Sequence, residues 1–163
     1  MTKLCFPPIT DERTRVLILG SLPGELSLAR AQYYANPRNQ FWRLTGAVIG
    51  VALPDQPYEA RLQTLLGAHI GLWDVVRSAS RTGSLDADIR DHKSNALNAF
   101  AASLANLRAI AFNGGKAAQI GRKQLPVAFK PEIITLPSSS PANTMSFDRK
   151  QEHWMALKRF LDR

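Results

Sequence analysis

Cysteine is almost absent from this chain, with Cys5 the only one among 163 residues. That excludes an internal disulfide and any cysteine-ligated zinc or iron–sulfur centre. Histidine is scarce too, and His69, His92 and His153 lack the spacing of metal ligands. A protein with no metal and no cofactor is therefore expected. No apolar stretch approaches the roughly 20 residues that span a bilayer. The opening Met1-Thr2-Lys3-Leu4-Cys5-Phe6-Pro7-Pro8 lacks the apolar segment and small-residue cleavage site of a signal peptide. The expectation is a cytoplasmic protein with no membrane partner. Acidic residues are the minority charge: 13 Asp plus Glu stand against 21 Lys plus Arg, a formal charge of +8. Such an excess favours a polyanionic partner, because neutralised phosphates release counterions, although many basic proteins bind no nucleic acid.

The apolar share of 45% is enough for a real core, and the length fits one compact domain over residues 1–163. Apolar runs at Val16–Gly20, Ile70–Val76, Ala109–Asn113 and Ile133–Leu136 predict buried strands. Helices are predicted over Gln40–Ile49, Tyr58–Leu66, Asn95–Asn106, Gly115–Arg122 and Phe147–Leu161, with Ser94 capping the third and Ser146 the last. Leu53–Pro57 and Arg81–Ser84 read as surface loops. Strands alternating with helices predict an α/β fold, a three-layer α/β/α sandwich around a small, mostly parallel four-stranded sheet. In such folds ligands bind beyond the carboxyl ends of the strands. Those ends here carry Gly20-Ser21, Asp74, Asn113-Gly114-Gly115 and Ser138-Ser139-Ser140, so the chemistry-bearing residues converge on one sheet edge.

Three segments on that edge stand out. In Gly20-Ser21-Leu22-Pro23-Gly24 the glycines let backbone approach a ligand, and successive amides can donate to a carbonyl or an emerging anion. A plain strand-to-helix turn has the same composition. In Tyr33-Tyr34-Ala35-Asn36-Pro37-Arg38-Asn39-Gln40-Phe41-Trp42, Tyr34 can stack on an extruded base, Arg38 can hold a phosphate, and Asn39 offers an amide oxygen to orient a water. Asn36 and Asn39 also suit turn and cap positions around Pro37, and Trp42 suits the core. In Leu136–Asn143 the hydroxyls and amides of Ser138, Ser139 and Ser140 can grip phosphates, and Pro141, Ala142 and Asn143 follow, the last two placed to enter the gap left by a flipped base. Asp74 ends an apolar strand, where it either accepts a lactam N–H or caps the Arg81–Ser84 loop. Asn113 ends the next strand, and Lys116 at the following helix N-terminus can meet a phosphate.

Taken in order, Gly20-Ser21-x-Pro23-Gly24, Gln32-Tyr33-Tyr34 with Pro37-Arg38-Asn39-x-Phe41-Trp42, and Leu136-Pro137-Ser138-x-Ser140-Pro141-Ala142-Asn143 resemble the uracil-DNA glycosylase superfamily, most closely its hypoxanthine branch. The resemblance covers most of the chain. It implies a monofunctional DNA glycosylase of base excision repair, acting as a monomer on DNA that contains deaminated bases. It implies Asn39 as the catalytic residue and the Gly20–Gly24 amides as donors to the departing base; with the strand-end residues, Gly20, Ser21, Leu22, Tyr34, Asp74 and Asn113 are expected around the base. Three positions depart from the pattern, one of them Asp74, which stands where many relatives use an Asn to read the base edge. Leu22 stands where mismatch-specific uracil glycosylases place a catalytic Asn, and Asn36 where the hypoxanthine branch commonly has His. A uracil or mismatch enzyme, and a noncatalytic binder of damaged DNA, are the rival expectations.

Overall fold

The computed structural model describes residues 2–162. Strands β1 (Thr2–Leu4), β2 (Val16–Gly20), β3 (Ile70–Asp74), β4 (Val76–Ser80), β5 (Arg90–Ser94), β6 (Ala109–Asn113) and β7 (Glu132–Leu136) alternate with helices α1 (Glu25–Arg30), α2 (Phe41–Ile49), α3 (Tyr58–Gly67), α4 (Leu97–Ala102), α5 (Gly115–Arg122), α6 (Phe147–Trp154) and α7 (Lys158–Leu161). The predicted parallel sheet is present, in the order β3-β2-β6-β7. Every residue of β2 is buried, which is why it reads as an unbroken apolar run. Its two faces separate two cores. Val16, Ile18, Ile70, Leu72, Ala109 and Ala111 pack under α2, α3 and α6, while Leu17, Leu19, Ile110 and Phe112 pack under α4, α5 and β4. In register, Gly20 lies beside Asp74 and Asn113 beside Leu136, so these strand ends form a single edge.

A second, antiparallel sheet in the order β1-β4-β5 was not expected. It corrects the predicted strand Ile70–Val76, which spans two elements. The Val75 and Val76 N–H groups donate to the Gly20 and Ser21 carbonyls, and the chain crosses there from one sheet to the other. Ser94 does not cap the third helix, because it is the last residue of β5 and pairs with Val76. That helix is shorter than predicted and starts after Ala96, with the Leu97 N–H donating to the Gln124 side chain. Ser146 does cap α6, accepting from the Arg149 N–H. The last helix is interrupted by a 3-10 turn over Met155–Leu157 before α7. Helix α1, six residues long, was also unpredicted. Neither expected surface loop is wholly exposed: Leu53 is fully buried and Arg81 nearly so. None of the described helices is long and apolar enough to cross a membrane.

Candidate active site

A cleft of about 620 Å³ opens at the carboxyl edge of the parallel sheet. Of the predicted site residues, Gly20, Ser21, Leu22, Tyr34, Arg38, Asn39, Asp74, Asn113 and the whole of Ser138–Asn143 line it. Lys116 does not. It sits on the first turn of α5, in a separate shallow groove with His92, Ser94 and Lys123.

The first wall is the Gly20–Gly24 turn. The Gly20 and Ser21 carbonyls are occupied by the Val75 and Val76 N–H groups, and among the described residues the Ser21 and Leu22 N–H groups have no protein acceptor. The turn thus offers donors to the cleft. A Cβ on Gly20 would lie 2.7 Å from Asp74 Oδ1 and 2.9 Å from the Tyr34 hydroxyl, so only glycine fits between them. Residues 84–86, which sequence reasoning missed, close this wall. The Ser84 hydroxyl accepts from the Glu25 N–H, supplying the cap that Gly24 lacks, and the Ser21 hydroxyl donates to Asp86 Oδ1 at 2.5 Å. The buried Arg81 guanidinium donates to the Pro23 carbonyl and lies 3.9 Å from Asp86. The Gly83-Ser84 turn signal marks only a bend; nothing in it predicts a return to the turn after β2.

Asp74 is 4% exposed, and its Oδ2 has no hydrogen-bond partner. Burial, reinforced by the Asp86 carboxylate and partly offset by Arg81, pushes its pKa up to about 7. The side chain does not cap the 81–84 loop, and its backbone carbonyl is what Asn95 holds, at 2.7 Å. A carboxyl group at this pKa donates or accepts according to its protonation.

The aromatic floor is Tyr34, whose ring stacks on Phe41 with centroids 3.9 Å apart and planes 9° from parallel. A base therefore has only the opposite face of Tyr34. Burial and the nearby Asp74 raise the pKa of the Tyr34 hydroxyl, so it stays neutral. Asn39 Oδ1 accepts from the Phe41 N–H at 2.9 Å, which fixes the side chain over the start of α2 and leaves one oxygen lone pair free. Trp42 is 4% exposed in the core, with its indole N–H on the Tyr34 carbonyl.

The second wall is the serine loop, residues 136–143. Each carbonyl from Leu136 to Ser140 is taken by a protein donor, in turn the Gly114 N–H, the Trp154 indole, the Asn143 side-chain amide, the Gln40 N–H and, for Ser140, both the Asn143 N–H and the Lys150 ammonium. The Ser138 and Ser140 hydroxyls accept from the Ser140 and Ala142 N–H groups, which leaves their O–H protons to donate outward. Asn113 spends its amide on Ser139, donating to the hydroxyl at 2.9 Å and accepting from the N–H at 2.9 Å, with a longer bond to the Tyr34 hydroxyl. It ties the loop to β6. Asn143 is likewise bound within its own loop. Arg38 is exposed at the rim, its guanidinium without a protein partner among the described residues. Among the described residues, no group of three or more His, Cys, Asp or Glu is placed to hold a metal.

A donor turn, a buried acid and an aromatic face on one side, with a loop of serine hydroxyls on the other, have the chemistry to suit a flat polar heterocycle with a phosphate beside it. The chain belongs to the uracil DNA glycosylase superfamily, whose family model matches residues 7–161. It is 42% identical to a hypoxanthine DNA glycosylase of Methanosarcina acetivorans over 98% of this chain and 99% of that one. To a hypoxanthine DNA glycosylase of Methanosarcina barkeri it is 39% identical, over 98% of this chain and all of the other. A solution NMR structure from Methanosarcina acetivorans, named as a candidate uracil DNA glycosylase, superposes over the whole of both chains with a TM-score of 0.88 at 42% identity.

Proposed function

We propose that this protein is a monofunctional DNA glycosylase that hydrolyses the N-glycosidic bond of hypoxanthine flipped out of DNA. The observation that carries the reading is Asp74, a buried carboxyl with an unpartnered oxygen that lines a base-sized cleft beside two free backbone N–H groups. Hypoxanthine presents a lactam N–H and C=O, the complement of an acceptor carboxylate flanked by amide donors. Two hypoxanthine DNA glycosylases at 42% and 39% identity support the purine.

Rotating the nucleotide into the cleft costs roughly a few kcal/mol of lost stacking and pairing. The serine loop and Arg38 hold the backbone while the base seats against the free face of Tyr34. As the bond breaks, positive charge develops on the sugar and negative charge on the leaving base. The Ser21 and Leu22 N–H groups donate to that anion, each such donor being worth about 3 kcal/mol in a preorganised site. Asn39 turns its free lone pair to a water and directs it at C1′. No lysine lines the cleft among the described residues, which supports an abasic product without strand scission. The cleft is built within one chain, which supports a monomer, acting in the cytoplasm on genomic DNA.

Uracil carries the same lactam edge and is the second reading, favoured by the name of the NMR structure. The test is alkaline cleavage of labelled oligonucleotides carrying one deoxyinosine or one deoxyuridine, by wild type and Asn39→Ala. The expected result is cleavage at inosine that falls about 10²–10³-fold in Asn39→Ala. Cleavage at uridine alone overturns the purine assignment. Binding without an abasic product from either strand leaves a damage binder.

A further inference from the structure

Lys150, on α6, is 1% exposed and among the largest fully buried side chains. Among the described residues no carboxylate lies within ion-pair distance of its ammonium. Its hydrogen bonds go to neutral oxygens, Gln40 Oε1 at 2.9 Å and the Ser140 carbonyl at 3.3 Å. Burial draws its pKa below the ordinary lysine range. Buried charges are ordinarily paired, because an unpaired one forfeits its hydration with nothing in return. Natural cores rarely keep a lysine in such a place when methionine would fill the same volume.

The ammonium is surrounded by a loop that turns donors to the cleft. Lys150 lies directly behind the serine loop, and the loop's other carbonyls are turned to inward donors as well. Its outward side presents O–H protons at Ser138 and Ser140, with no acceptor carbonyl among residues 136–140 left free. A loop of neutral hydroxyls that has been stripped of free acceptors and backed by an uncompensated cation is built for an anion.

We propose that Lys150 is the counter-charge of a DNA phosphate seated on the serine loop next to the flipped nucleotide, acting through the Ser140 peptide rather than by direct contact. The proposal rests on the reading of the cleft as a DNA glycosylase site. It makes Lys150 a positioning residue whose charge is uncompensated in the free protein and neutralised in the complex. The test compares wild type with Lys150→Met and Lys150→Gln by thermal unfolding and by binding to a duplex holding a non-cleavable abasic analogue, over a range of salt. Lys150→Gln keeps an N–H donor for the Ser140 carbonyl and removes only the charge.

The expected result is unfolding at or above the wild-type temperature, since a buried charge has been relieved. Affinity for the duplex falls about tenfold at low salt, and the slope of log affinity against log salt becomes shallower by about 0.9, one phosphate's worth of counterions. An unchanged salt slope in Lys150→Gln, whatever happens to stability, overturns the proposal and makes Lys150 a structural strut. Hypoxanthine release by the wild type is scored separately. A wild type that binds duplex with the steeper slope but frees no hypoxanthine overturns the substrate assignment and leaves the phosphate seat standing.

Discussion

The two walls of the cleft share one construction and differ in charge. In the Gly20–Gly24 turn and in the serine loop alike, backbone carbonyls are consumed by inward N–H donors so that the cleft meets donor groups. The first wall itself carries carboxyls that line the cleft, Asp74 and Asp86, with the buried Arg81 bound to the turn and 3.9 Å from Asp86. Behind the second stands an ammonium, Lys150, with Arg38 at its rim. The contrast assigns the ligand's parts: the acidic wall suits a base edge that presents an N–H, and the cationic wall a phosphate. Changes on one wall should then separate chemistry from backbone affinity.

Gly20→Ala gives the largest expected effect. The new methyl meets Asp74 Oδ1 and the Tyr34 hydroxyl, neither free to yield, because Asp74 is buried and Tyr34 is stacked on Phe41. Displacement of the base by a fraction of an ångström should cost about 10²-fold in single-turnover hypoxanthine release. Overpacking should remove roughly 1–3 kcal/mol of stability. Duplex affinity and its salt slope should stay at wild type, since the serine loop is untouched. A parallel fall in affinity would break the division between the walls.

Asp74→Asn should act through pH. The folded-state pKa of Asp74 lies near 7, above its unfolded value of about 3.8, so the native protein holds the extra proton between those limits. Stability is therefore fully kept below that window and lost as pH rises through 7, by up to roughly 4 kcal/mol. Near pH 4 the Asn variant should differ from wild type in thermal unfolding only by the cost of the substitution, and it should gain on wild type progressively up to pH 8. If the carboxylate accepts the lactam N–H, wild-type hypoxanthine release should climb through pH 7. The variant should lose that step and run about tenfold slower at pH 8. A variant with the wild-type pH profile would assign the step to another group.

The parallel sheet was legible because three of its strands, β2, β3 and β6, are largely buried on both faces, and such strands read as apolar runs ending in Gly, Asp or Asn. The antiparallel sheet was not, because all five residues of β5, Arg-Asp-His-Lys-Ser, are exposed and carry no hydrophobic period. Ser94 misled for the same reason: a strand pairing invisible in the sequence claimed the residue that looked like a cap. At the site, residues local to the three motifs converge on the cleft as their strand positions imply. Asn113, Ser84, Asp86 and Lys150 take their character from partners 26 to 110 residues away. In Arg149-Lys150-Gln151-Glu152 nothing distinguishes the buried lysine from a solvated helix face, and only packing shows which one is inside.

The smallest effect tests how the first wall is closed. Helix α1 begins at Gly24, which has no side chain to satisfy its first N–H groups, and the Ser84 hydroxyl reaches back to accept from the Glu25 N–H at 2.9 Å. Ser84→Ala should therefore behave as the loss of an N-cap, costing about 1 kcal/mol, or about 2–4 °C in unfolding temperature for a chain of this size. The tip stays tied by Asp86 to Ser21, and by the Lys3 ammonium to the Gly83 carbonyl, so the turn keeps its place. Hypoxanthine release should drop no more than about threefold. A stability loss with activity retained would make residues 84–86 a brace for the turn. A collapse of activity at unchanged stability would instead put Ser84 in contact with the nucleotide and extend the base-reading wall across the mouth of the cleft.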